Sequence, residues 1–102
     1  MSVTKKFLKS KPICKVTFRL ESEEAKNAKA ASLVGDFNGW NPKKAKMKKL
    51  KNGAFTTTLD LDVGNAYEFR YRLGGGVWVN DDAADKYVPT GVSLEENSVV
   101  IV

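Results

Sequence analysis

The chain has 102 residues, enough for one domain around a modest core. It holds no histidine, one cysteine and no apolar run of membrane-spanning length. Those counts set aside the usual general base and metal ligand, an internal disulfide and a transmembrane helix. The net charge of +5 is uneven, with 14 Lys/Arg and 4 Asp/Glu in residues 1–51 against 3 and 8 in residues 52–102.

Residues 1–11 are polar and lysine-rich, with Phe7 and Leu8 as the one bulky apolar pair, and read as a flexible basic N-terminal arm ahead of a single domain over 12–102. No signal-peptide core follows Lys5 and Lys6, and with one cysteine the expected location is cytoplasmic. From Pro12 the pattern alternates. Cys14, Val16, Phe18 and Leu20 face one way and Lys15, Thr17, Arg19 and Glu21 the other, the period of a half-buried antiparallel strand. Cys14 falls on the buried side, as a small hydrophobe. Ser22 to Lys29 lacks an apolar stripe and reads as a link.

Ala30 to Val34 forms a second strand that enters SLVGDFNGWNP, a cluster of turn formers from Gly35 to Pro42. Phe37 and Trp40 sit inside it. Phe37 reads as a plug into the core and Trp40 as a ring presented to a partner. Lys43 to Lys51 carries six lysines. Met47 to Lys51 reads as a short edge strand turning at Asn52-Gly53. Phe55, Thr57, Leu59 and Leu61 alternate against Thr56, Thr58 and Asp60.

Tyr67, Phe69, Tyr71 and Leu73 make the clearest strand, with Glu68, Arg70 and Arg72 on its other face. Gly74-Gly75-Gly76 predicts a hairpin that pairs Leu73 with Val77. That register sets Trp78 outward, opposite Arg72 and diagonal to Arg70. Asp81 to Asn97 reads as a long polar loop, and Ser98 to Val102 as the closing strand. About seven evenly spaced strands with no convincing helix predict an all-β, immunoglobulin-like sandwich.

No nucleophile motif, phosphate loop or zinc spacing appears. Asp60 with Asp62, and Asp81, Asp82 and Asp85, read as turn caps and solvated carboxylates, without the alternating oxygen ligands of a calcium loop. The expectation is no enzyme activity, no catalytic residue, no metal and no cofactor. A binding surface remains. Exposed indoles suit a sugar ring, with Arg, Lys and Asn bonding its hydroxyls, or a nucleic-acid base, whose phosphates would want the lysines.

SLVGDFNGWNP, then LKNGAFTTTLDLDVGNAYEFRYRLGGGVWVND, then ENSVVIV, resemble the glycogen-binding module family. Its members precede the catalytic barrels of isoamylases and glycogen branching enzymes and form part of the AMP-activated protein kinase beta subunit. The resemblance runs from about Val16 to Val102. It implies an early-set immunoglobulin-like domain that binds α-1,4-linked glucan, with Trp40 and Trp78 as stacking platforms. Arg70 stands where the kinase-type modules have a sugar-contacting lysine, and Asn97 matches a sugar-bonding asparagine. The chain departs from that type at Ser93 and Glu95, where a leucine and a threonine are found, and in a glycine hairpin one residue longer.

The leading expectation is therefore a non-catalytic module for glycogen-like α-glucan through Trp40, Arg70, Trp78 and Asn97. Since the chain begins at a methionine and ends on its closing strand, no enzyme is expected within it, and it reads either as a free-standing targeting or regulatory protein or as an excised piece. A second reading is a protein-interaction or packing module that docks an enzyme of glycogen metabolism through Lys43, Lys44, Lys48 and Lys49. Nucleic-acid binding comes third, because the aromatics sit in the other half of the chain from most lysines. No membrane partner is expected.

Overall fold

The computed structural model describes residues 2–26, 28–41, 44, 46–74, 76–91 and 95–102. Among these, nine strands run in the order β1 Ser2–Phe7, β2 Ile13–Leu20, β3 Ala31–Gly35, β4 Lys48–Lys49, β5 Phe55–Asp62, β6 Ala66–Leu73, β7 Val77–Val79, β8 Lys86–Pro89 and β9 Glu96–Ile101. One sheet has the order β1-β2-β5-β4 and the other β3-β6-β9-β8, with β7 also on β6; every pairing is antiparallel. The two sheets form an immunoglobulin-like sandwich.

Alternation in the sequence explains the core. Cys14, Val16, Phe18 and Leu20 of β2 are fully buried, and they pair with Leu61, Leu59, Thr57 and Phe55 of β5. From the facing sheet come Leu33, Phe69, Tyr71, Leu73 and Val100. Phe69 lies edge-on to both Phe18 and Tyr71, with ring centroids 5.1 and 5.8 Å apart. Such tilted pairs contribute about 0.5–1.5 kcal/mol beyond their area. Phe37 is the core plug its loop position predicts, 6.1 Å from both Phe18 and Tyr67.

Three expectations are corrected. Residues 2–7 do not hang as a loose arm: β1 pairs along β2 from Ser2↔Arg19 to Phe7↔Cys14. Its lysines belong to an edge strand that must resist pairing with other chains, so its pattern lacks apolar alternation. Lys5 even stands opposite the inward Val16 and reaches Asp85, with Nζ 2.7 Å from Oδ2. The segment between Asp81 and Asn97 contains a strand, β8, whose Pro89 is tolerated because it lies on a sheet edge. The lysine-rich edge strand is only Lys48–Lys49, shorter than the sequence suggests.

In the second sheet, strand β6 changes neighbours partway along one edge. That edge is bordered first by β9, from Ala66↔Ile101 to Phe69↔Ser98, and then by β7, from Tyr71↔Val79 to Leu73↔Val77. Its other edge is bordered by β3. Arg70 falls where β9 gives way to β7.

Candidate functional site

The turn after β3 is shaped from within. A Cβ on Gly35 would stand 2.4 Å from the Glu68 carbonyl oxygen, so only glycine allows this approach to β6. Asn38 braces the turn, accepting from the Gly35 amide at 3.1 Å and donating to the Leu33 carbonyl at 2.9 Å. Gly39 and Trp40 then both take left-handed backbone, with φ of 65° and 61°. Glycine does so freely; for a tryptophan it costs roughly 1–2 kcal/mol. Strain of this kind gathers at binding sites. Asp36 holds the ring: Oδ1 accepts from the Trp40 indole N–H at 3.1 Å and Oδ2 from the Glu68 backbone amide at 2.9 Å.

The outer face of β6 supplies the floor. Arg70 is only 9% exposed. Its Nε and one terminal nitrogen donate to the Glu96 carbonyl at 3.2 and 3.0 Å, and that terminal nitrogen also donates to Glu95 Oε2 at 3.0 Å. The guanidinium thus ties β6 to the start of β9 just where their ladder ends. Asn97 donates to Glu68 Oε1 at 3.1 Å. Trp78 pairs with Arg72 as its register predicts, and is 43% exposed. Trp40 is half-buried.

All four residues expected at the site line one open groove of about 390 Å³, together with Asp36, Glu68 and Thr90. A second hollow of about 310 Å³ continues past Arg70 and Trp78 to Asn80, Glu95 and Glu96. The groove offers two indole rings, an amide, a guanidinium, a hydroxyl and the two carboxylates of Asp36 and Glu68. Apolar faces ringed by donors and acceptors suit a hydroxyl-rich ligand with apolar C–H surfaces. Among the described residues no group of three or more Cys, Asp or Glu side chains could hold a metal. Ser93, Lys43 and Gly75 lie outside the described residues.

Beneath the groove runs a buried polar network that sequence reading missed. Asp81, expected as a solvated loop carboxylate, is fully buried. It caps its turn by accepting from the Ala83 amide at 2.7 Å, and it accepts from the Tyr71 hydroxyl at 2.6 Å. Burial first, then the Asp81 charge, pushes the Tyr71 hydroxyl pKa far above its ordinary value. The Asp81 amide donates to Ser98 Oγ, which donates to Asn80 Oδ1 at 2.9 Å, and Asn80 Nδ2 donates to the Glu96 carbonyl at 2.7 Å. That carbonyl is the one Arg70 holds. The signal available was Asn80-Asp81 directly after β7, two polar residues where the sandwich closes.

Residues 14–88 match the family described as carbohydrate-binding module 48 (isoamylase N-terminal domain). The chain belongs to this family of carbohydrate-binding modules. It is similar to the 1,4-alpha-glucan-branching enzyme, chloroplastic/amyloplastic, of Oryza sativa subsp. japonica, at 37% identity over 65 residues, which is 57% of this chain and 8% of the enzyme. It is also similar to the 1,4-alpha-glucan branching enzyme GlgB of Photobacterium profundum, at 32% identity over 73 residues, 71% of this chain and 10% of the enzyme. The chain therefore spans a tenth or less of the length of these curated relatives.

Proposed function

We propose that this module binds α-1,4-linked glucan of the glycogen or starch type, with glucose rings laid against Trp40 and Trp78 and hydroxyls bonded by Arg70 and Asn97. The role is non-catalytic. The observation that carries the reading is that both indoles, the guanidinium and the amide line one groove on one sheet face. The relatives described above are, by name, enzymes of α-glucan, which supports the same polymer here. Stacking replaces water on two apolar faces at once, and the polar groups around the rings fix the sugar's orientation.

The test is mobility in a native gel cast with glycogen, joined to a tryptophan-fluorescence titration with maltoheptaose. The chain should be retarded and its emission should shift on binding. Trp40→Ala and Trp78→Ala should each weaken binding at least about tenfold, or ~1.4 kcal/mol. Unretarded wild-type protein, or retardation unchanged in both variants, overturns the reading.

A second role has its own support in charge. Lys44, Lys48 and Lys49 are exposed, the last two on the edge strand β4 of the opposite sheet. That placement leaves them available to dock an attached or separate enzyme while the groove holds sugar.

A further inference from the structure

A row of residues runs across the outer face of the second sheet beside the groove. Trp78 pairs with Arg72, Arg72 with Ser32, and Ser32 with Lys46 through an isolated bridge. Residues so paired point to the same side, with Cβ atoms about 4.5–5.5 Å apart from strand to strand. Lys46, Ser32 and Arg72 line a hollow of about 340 Å³ together with Ala30 and Gly74, and among the described residues no carboxylate lines it. Among the described residues neither Arg72 nor Lys46 has an ion pair, whereas Arg70 is paired with Glu95. The Arg72 guanidinium lies over the hairpin, with one nitrogen 3.6 Å from where a Gly76 Cβ would be.

Two cationic side chains lining one hollow, with no ion pair among the described residues, repel each other and favour an anion at that hollow. The neighbouring groove has the opposite character, since Asp36 and Glu68 line it. An anionic group on a bound sugar is therefore disfavoured over the groove and favoured one position further, past the Trp78 ring. We propose that Lys46, Ser32 and Arg72 form a subsite for a phosphate monoester carried on a hexose whose ring stacks at Trp78. A phosphate monoester carries about −1.5 to −2 charges at neutral pH and three acceptor oxygens, matching a guanidinium, an ammonium and a hydroxyl. Contiguity with an exposed indole is what selects a sugar over an acidic peptide. The proposal rests on the glucan reading.

The experiment titrates the whole chain at low salt with maltoheptaose, with maltoheptaose bearing one phosphate monoester, and with free hexose monophosphate. The wild-type chain should bind the phosphorylated oligosaccharide about tenfold tighter than the neutral one, as expected for two charge-assisted contacts. Lys46→Gln with Arg72→Gln should abolish that preference while neutral affinity stays within about twofold; Lys46→Gln alone should reduce it, and Lys48→Gln with Lys51→Gln should leave it intact. Equal wild-type affinities overturn the subsite but not the glucan reading. Binding of neither oligosaccharide overturns both. A preference that survives the double variant, or that vanishes in the Lys48/Lys51 variant, also overturns it. Free hexose phosphate competing as strongly as the phosphorylated chain supports the subsite and assigns it to a small sugar phosphate.

Discussion

The two sheets present outer faces built from the same alternating pattern, and they differ in almost every other respect. On the first sheet the outward residues of β2 and β5 meet as ordinary solvated pairs: Thr17 and Thr58 share a hydrogen bond of 3.0 Å, and Lys15 stands 3.8 Å from Asp60 with both side chains about half exposed. On the second, Val34 and Val99 are buried on the outward side, away from the main core, and Arg70 between them is nearly so. The difference arises at the flanks. The turn Asp36–Trp40 walls one side of the second sheet's face through Asp36 and the Glu68 amide, and the chain at Glu95 and Glu96 gives Arg70 its partners. The first sheet receives no such cover from the described residues. A face becomes recessed, and able to hold a ligand, when loops rather than strands decide what surrounds it.

The sharpest way to break this contrast is to remove a carboxylate from each side. Asp81→Ala strands the buried Tyr71 hydroxyl and removes the cap on the Ala83 amide, and should cost about 3 kcal/mol in urea denaturation. Asp60→Ala, on the solvated face, should move stability by less than ~0.5 kcal/mol. Similar losses at the two sites would show that the network under the groove contributes nothing special. A smaller effect concerns how the loop holds its ring. In a double-mutant cycle of Asp36→Ala and Trp40→Phe, the coupling in denaturation free energy should be about 1 kcal/mol, because the phenyl ring has no N–H to give Asp36. Additive effects would mean that Asp36 serves only the Glu68 amide.

The smallest effect tests the contact between Lys5 and Asp85, which joins the two sheets at their edge. Burial alone would raise the Asp85 pKa, but hydrogen bonds from Lys5 and from the Ile101 amide, with the Lys5 charge, outweigh it and hold the carboxyl below its ordinary value. Its contribution is therefore present above the usual carboxylate range and lost as pH falls through the lowered folded value. Asp85→Asn should lower the melting temperature at pH 7 and leave it unchanged near pH 2. An equal drop at both pH values would assign the loss to packing instead of charge.

Much of the architecture was legible because the informative strands are half-buried. β2, β5 and β6 alternate cleanly, and the glycine hairpin carries that alternation into β7, which places Trp78 opposite Arg72 from the sequence alone. β1 and β8 were illegible for the converse reason: edge strands are selected for lysine and proline, which read as loop. Trp40, Arg70, Trp78 and Asn97 were nominated by resemblance and periodicity, and they share a groove. Asp36, Asn80 and Asp81 were not, because a carboxylate or amide in a turn looks the same in sequence whether it faces water or supports a wall. Asp81 is the clearest instance, since nothing local to Asp81-Asp82 says which of the two turns inward.

The left-handed backbone at Trp40 sets folding and recognition against each other. A glycine there would relieve the torsion and make the chain sturdier, while removing one of the two indoles proposed to carry the sugar. Variants chosen for heat tolerance alone should drift toward small residues at this position and, on the proposed glucan reading, bind polysaccharide more weakly as they do so. Variants chosen on an affinity resin should keep the indole and accept the lower melting point.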